Sequence, residues 1–187
     1  MAVADIHRHV FTIDEFARMG EAGVFAEGER VELIDGEVRE MAPIGPSHAV
    51  VVNLLAEQFI TRLAGTAYVS IQSPIRLGRH TEPQPDLAVA RRRLDAYGAG
   101  HPEAGDVLLV VEVADSSLRY DREEKVPRYG RAGIPETWLV DLAAETVTVY
   151  AGPGPDGYTD EHLYRRGDTI VSATVPEIEL LVDEMFP

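Results

Sequence analysis

The spacing of apolar residues switches between helical and strand periods along the chain, and the switches fall at Gly, Pro and Asp-Gly positions. Residues 12–19 (TIDEFARM) predict a short helix, with Thr12 as cap and Glu15 three residues on to complete a capping box. Residues 31–41 (VELIDGEVREM) form two short runs around Asp35-Gly36, the pattern of a β-hairpin. Pro43, Gly45 and Pro46 end it. Ser47 is expected to cap a longer helix whose apolar residues Val50, Val51, Leu54, Leu55, Phe59 and Leu63 fall at helical spacing, and Gly65 stops it. Residues 67–77 predict a strand, and 86–90 (DLAVA) a second, shorter one. Residues 91–106 predict a loop. Residues 107–113 (VLLVVEV) are almost continuously apolar, which places a strand at the centre of a sheet. Helical character returns over 119–132, with Pro127 inside it. Strands at 137–141 and 146–150, a Gly/Pro-rich tip at 152–157, and weaker strands near 158–164 and 169–175 complete the chain. The sum is one domain, 1–187, of mixed α/β class, with a central mixed β-sheet flanked by helices.

Composition narrows the class. With 187 residues, 45% apolar and 26% charged, the chain is long enough to bury a core and too apolar to be disordered. It has no cysteine, which excludes disulfides and thiolate zinc sites. No apolar run approaches the roughly 20 residues that cross a bilayer. The opening MAVADIHRHVFTIDEF lacks the basic start and apolar stretch of a signal peptide. By elimination a soluble, cytoplasmic protein is expected, with no membrane partner.

Charge is distributed unevenly. The net value is −15, which opposes general affinity for nucleic acid. Residues 61–135, however, hold 10 acids and 11 bases, while the two flanks hold 22 acids and 6 bases. Any anion-binding surface is therefore expected from the middle of the chain, and the acidic flanks serve solubility equally well. Of the 17 basic residues only Lys125 is a lysine. A lone lysine among arginines is a candidate for work that needs a compact ammonium with a movable pKa.

Glu112 is the anomaly of the central strand. A buried carboxylate must be paired, protonated or bound to a metal. Strand alternation puts it on the face of Val110 and Leu108, away from Val111 and Val113. Asp86 opens the preceding strand just after Pro85, and Glu32 interrupts the hairpin in the same manner. Three carboxylates on adjacent strands would make an all-oxygen site, suited to a hard cation such as Mg2+ or Mn2+. Lys125 lies 13 residues beyond Glu112 and can fold back onto that site. The alternative on spacing alone is a salt bridge in which Lys125 neutralises Glu112.

The order Glu32, Pro85-Asp86, Glu112-Val113-Ala114 and a following lysine resembles the PD-(D/E)XK nuclease superfamily. More closely, the chain resembles the Uma-type family of restriction-endonuclease-like proteins. The matching stretches are VELIDGEVREM with Pro46-Ser47-His48, then QPDLAV, VVEVADSS, DREEKVPRYGRAGIPETWLVD and VPEIELLVDEMF, together spanning about 10–186. One position departs from the superfamily pattern: Ala114 stands where the motif lysine belongs, and Lys125 on the following helix matches its displaced form. The resemblance implies a restriction-endonuclease-like fold and hydrolysis of DNA phosphodiester bonds. It implies Mg2+ (or Mn2+) held by Asp86 and Glu112 with the carbonyl of Val113, and a catalytic set of Glu32, Asp86, Glu112 and Lys125. Homodimers, which suit two-strand cutting, are common in that class.

Other residues carry two readings. Gln84 shares the expected face of Asp86 and can assist there. His48 either contacts phosphate at a helix N-terminus or is a surface histidine. Arg91 and Arg92, with Arg93, either meet a nucleic-acid backbone or form a solvated loop. Arg119, Arg122, Arg128 and Arg131 either add to them or pair with Glu123 and Glu124. Tyr129, one helical turn after Lys125, either holds it in place or packs in the core. Trp138 is expected in the core or at a dimer contact. At the level of the whole chain three functions compete. One is an active DNA endonuclease, another a catalytically inactive module with a structural Glu112–Lys125 pair, and the third a metal-dependent hydrolase of other phosphodiesters.

Overall fold

A computed structural model describes residues 7–187; the first part of the signal-peptide reading, residues 1–6, lies outside them. Helix α1 (Ile13–Glu21) opens the fold with the expected capping box, Thr12 and Glu15 each bonding the other's backbone N–H. Strands β1 (Val31–Ile34) and β2 (Glu37–Glu40) form the expected hairpin. Its turn holds Asp35 and Gly36 at positive φ. A Cβ on Gly36 would also meet the backbone of Phe11 at 2.9 Å, so the hairpin can lie tight against the N-terminal segment.

Helix α2 (Pro46–Arg62) starts two residues earlier than the Ser47 cap predicts. Gly45 is the N-cap, with no side-chain bond, and Pro46 occupies the first turn, where a missing N–H costs nothing and φ is already helical. Strand β3 (Ala67–Ile71) is half the expected length, because Gln72 turns to a φ of 46° ahead of Pro74. Strands β4 (Leu87–Arg91) and β5 (Val107–Ala114) follow. Residues 118–131 then make one helical rod of three parts: α3 (Leu118–Tyr120), a π-helical segment (Asp121–Lys125) and α4 (Val126–Arg131). Pro127 has no N–H to give to Glu123, and the widened π turn just before it absorbs the lost bond.

Strands β6 (Glu136–Asp141), β7 (Thr146–Gly154) and β8 (Gly157–Arg165) complete a six-stranded sheet of order β3-β4-β5-β6-β7-β8. Only β5 and β6 are parallel, and the helical rod is their crossover. The expected loop at 152–157 shrinks to a two-residue tip, since Pro153 and Gly154 still pair with Tyr158 and Gly157 within the hairpin. The last expected strand is likewise short: β9 (Thr169–Val171) pairs with β10 (Glu179–Leu181), which the spacing did not reveal.

The sheet is covered on both faces. On one, Val51, Leu55 and Phe59 of α2 pack with Leu87, Val111 and Trp138. Trp138 is fully buried and meets Phe59 edge-on at 5.8 Å, which places it in the core. On the other face, Tyr129 of α4 packs with Ala88 and Val110. Glu112 shares that second face with Val110, as expected. Leu108 packs on the opposite side, because a bulge between Val89 and Ala90 breaks the alternation near the start of β5. Gly130 lets the rod lie close, since a Cβ there would fall 2.5 Å from the Gly157 carbonyl carbon. Among the described residues no helix is long and apolar enough to cross a membrane.

Candidate active site

A cleft of about 410 Å3 opens where β4 begins and β5 ends. The two strands are antiparallel, with Leu87 opposite Val111, so Asp86 falls beside Glu112 and Val113. The Val113 N–H donates to Asp86 Oδ2 at 2.9 Å. A strand residue turns its N–H and C=O to the same side, so the Val113 carbonyl faces the Asp86 side as well. Asp86 also accepts from Gln72 Nε2 at 3.3 Å and lies 3.1 Å from His48 Nε2. Burial alone would raise the Asp86 carboxyl, but the His48 bond and charge and the Val113 N–H outweigh it and hold it below the ordinary range.

Glu112 projects beneath the helical rod, and the rod brings Lys125 to it. Lys125 Nζ lies 2.7 Å from Glu112 Oε1 and 3.5 Å from Glu32 Oε2, with all three side chains at most 3% exposed. The Tyr129 hydroxyl donates to the same Glu112 Oε1. Tyr129 therefore holds the acid rather than the lysine. Both contacts fall on Oε1, and Glu112 lines the cleft, so Oε2 is the oxygen left to serve it. Burial, with Asp121 and Asp86 nearby, pushes the Glu112 carboxyl up to about 8 despite the pull of Lys125. Burial would lower the ammonium of Lys125, but Glu112, Glu32 and Asp121 together raise its pKa and keep it charged.

Glu32 is bound on every side. Its Oε2 accepts the Gln84 backbone N–H at 3.1 Å, and its Oε1 accepts the Tyr120 hydroxyl at 3.1 Å. The Gln84 side chain turns away to the Gln72 carbonyl at 2.6 Å, so this residue serves Glu32 through its backbone. Asp121, in the π segment, accepts from Ser117 Oγ at 2.6 Å, and burial raises its carboxyl.

The cleft thus gathers Glu32, Asp86, Glu112 and Asp121 around Lys125 and His48. Fully ionised, the set is short of two positive charges. A second buried acid of the sheet gives the contrast. Glu136 is satisfied by neutral donors alone, from Trp138 at 2.6 Å and from Ser172 and Thr174 at 2.9 and 3.1 Å, and needs no cation. Among the described residues no three His, Asp or Glu side chains stand as a ready metal cage. The oxygens of Asp86, Glu112 and the Val113 carbonyl nevertheless fit Mg2+, which is commonly held by one or two carboxylates with substrate and water completing its shell.

The structure brings Glu32, Asp86, Glu112, Val113, Lys125, Gln84 and His48 to one cleft, and leaves Arg91 and Arg92 outside it. Arg91 ends β4, roughly 16 Å along the strand from Asp86 at about 3.3 Å per residue, and Arg92 follows it. His48 meets Asp86 instead of projecting from the helix end. Of the helical arginines, Arg119 pairs with Glu123, and Arg128 pairs with Glu124 and with Asp35 of the hairpin turn. Tyr120, Asp121, Ser117 and the hairpin residues Arg30 and Arg39 also line the cleft. Composition and spacing single out none of them; the one trace is Pro127, whose distortion of the helix turns Asp121 and Lys125 inward together.

Comparison with known proteins bears on the fold and the family. A solved structure from Anabaena variabilis, described as "a putative nuclease belonging to DUF820", superposes with a TM-score of 0.73 at 16% identity, over 94% of this chain and 97% of that one. The two share a fold. No curated protein is significantly similar to the chain. The family model Uma2, described as "putative restriction endonuclease", matches residues 13–183. That span takes in every element that builds the cleft, and the chain belongs to the nuclease-like Uma2 family.

Proposed function

We propose that the chain is a Mg2+- or Mn2+-dependent endonuclease that hydrolyses phosphodiester bonds of DNA. The observation that carries this reading is the meeting of Asp86, Glu112 and Lys125 in one cleft whose carboxylates outnumber its cations. Asp86 and Glu112, with the Val113 carbonyl, would hold the ion. Once bound, such an ion supplies a water of lowered pKa and neutralises charge on the phosphate.

The side chains around these donors prepare them. His48, Gln72 and the Val113 N–H fix the rotamer of Asp86 and keep it ionised. Tyr129 and Lys125 hold Glu112 by one oxygen, which aims the other at the cleft. Lys125 carries its charge on a compact group that can orient the attacking water or stabilise the oxyanion forming on phosphorus. Glu32 steadies Lys125 from the opposite side, and Gln84 and Tyr120 hold Glu32 in turn. A π segment often marks a functional site, and here it delivers both Asp121 and Lys125.

A second reading has its own observation. Lys125 is fully buried between two carboxylates, an ion triad complete without metal, as an inactive interaction module would have. Incubation with single-stranded and duplex DNA in Mg2+ separates the two. The wild-type chain is expected to cut, and Asp86→Ala and Glu112→Ala to lose cleavage while keeping the wild-type circular dichroism spectrum. Cleavage at the wild-type rate by either variant contradicts the assignment.

A further inference from the structure

The six-stranded sheet ends in β3 on one side and β8 on the other, and neither is paired along its outer edge. Such an edge presents a row of backbone donors and acceptors to any strand that lies beside it. β3 is five residues long and carries no charge that would select a partner. β8 is nine residues long, and Thr159 to Leu163 and Arg165 are all exposed. From Asp160 to Arg165 its register with β7 is unbroken, and it contains no proline. That stretch is regular enough to accept a further strand.

Charged side chains commonly guard an open edge. On β8 the guard changes sign: Asp160 and Glu161 precede Leu163, and Arg165 follows it. Neither Glu161 nor Arg165 forms an ion pair among the described residues, whereas Arg166, just past the strand, is held by Glu145 and Asp183. Antiparallel pairing of two identical strands places one residue opposite its own copy at the two-fold axis. With Leu163 there, Glu161 of each copy falls opposite Arg165 of the other, and His162 opposite Tyr164. With His162 there, Glu161 meets Leu163 instead; with Tyr164 there, Arg165 meets Leu163; with Glu161 there, the acid meets itself. Of these registers, only the one centred on Leu163 sets acid against base.

We infer that two copies of the chain pair through β8, antiparallel and centred on Leu163, and so extend the sheet across a two-fold axis. Side chains alternate along a strand, so Glu161, Leu163 and Arg165 share one face. Two Glu161–Arg165 pairs there flank the two Leu163 side chains, each 38% exposed in the single chain. His162 and Tyr164, already edge to face at 4.5 Å, share the other face and make a cluster of four rings. Directly opposed side chains of these kinds stabilise an antiparallel pair. A net charge of −15 opposes association in general, so the match of acid to base decides the register. β8 lies three strands from β5, which keeps the interface away from the cleft. The inference stands apart from the nuclease reading.

Sedimentation equilibrium of the metal-free chain tests this. The wild type is expected to pass reversibly from monomer to dimer as its concentration rises. Raising the salt from about 0.1 M to about 1 M, which shortens the screening length from about 10 Å to about 3 Å, is expected to weaken the dimer several-fold. Glu161→Arg sets like charges opposite each other twice and is expected to weaken it at least tenfold, as is Arg165→Glu. The double variant Glu161→Arg, Arg165→Glu restores both pairs and is expected to return to within about threefold of the wild type. Leu163→Asp is expected to leave a monomer. Melting curves confirm that each variant is folded. A wild type that stays monomeric, a dimer indifferent to Glu161→Arg, or a double variant no better than the single ones overturns the inference.

Discussion

Replacing Lys125 by methionine is expected to lower the melting temperature of the metal-free protein by on the order of 10 °C and to cut DNA hydrolysis at least a hundredfold. Methionine fills much of the space of the lysine stem, so the change isolates the charge. Without the ammonium, Glu112 and Glu32 remain 2% exposed, with no other cation within 4 Å among the described residues. Breaking a buried pair by removing one partner costs about 3–5 kcal/mol, and in a domain of this size each kcal/mol moves the midpoint by roughly 2–4 °C. Loss of one donor that stabilises developing charge costs about 100- to 1,000-fold in rate. Mn2+ affinity is expected to stay within about tenfold, since Asp86 keeps its three partners and Glu112 keeps Tyr129. A thermal scan in EDTA and a cleavage time course check both effects. An unchanged midpoint together with an unchanged rate contradicts the role given to Lys125.

Stability without metal is expected to fall as pH rises from about 5.5 to 8.5, and added Mn2+ to reverse that fall. Glu112 sets the sign. Its carboxyl is pushed up to about 8 from an ordinary 4.5, so the folded state holds a proton that the unfolded chain has released across that interval. Folding is therefore penalised as pH climbs through it, by a few kcal/mol at about 1.4 kcal/mol per pKa unit. Asp121, raised by burial, adds in the same direction. His48 does so too: the bond to Asp86 raises its pKa, and the stability this brings below its unfolded value is lost as pH passes the folded one. Asp86, held low, gives its support above an ordinary 3.8 and stays constant over the interval. A divalent ion requires ionised carboxylates and displaces their protons. Mn2+ is thus expected to raise the melting temperature more at pH 8 than at pH 6. A midpoint in EDTA that is flat or rising over the interval contradicts this charge assignment.

Much of the scaffold was legible because local chemistry decides it. Asp35-Gly36 can hardly do anything but turn, Thr12 and Glu15 cap a helix with their own side chains, and the apolar run 107–113 has no stable place outside a sheet. The acids were legible for a related reason: Glu112 breaks an apolar pattern, and such a break requires an explanation. What stayed hidden depends on contacts across the fold. His48 is 38 residues from Asp86 and Tyr120 is 88 residues from Glu32, separations at which no periodicity speaks. Arg91 and Arg92 looked like substrate contacts from their composition, yet β4 carries them away from the cleft. Ser47 lost the cap to Gly45 because Pro46 already fixes the first turn. The short edges of the fold, β9 and β10, are held by pairing with each other, and each alone is too brief to show a period.

Calorimetric titration of Mn2+ into the wild-type chain and into Asp86→Ala tests the central claim most directly, because it requires no substrate and the variant controls for loose binding to the acidic flanks. The cleft predicts a saturable site in the wild-type protein that is lost in Asp86→Ala while the melting profile stays cooperative. Identical weak binding in both proteins would contradict a metal centre at Asp86 and Glu112, and would leave Lys125 as the sole counter-charge of a structural ion triad.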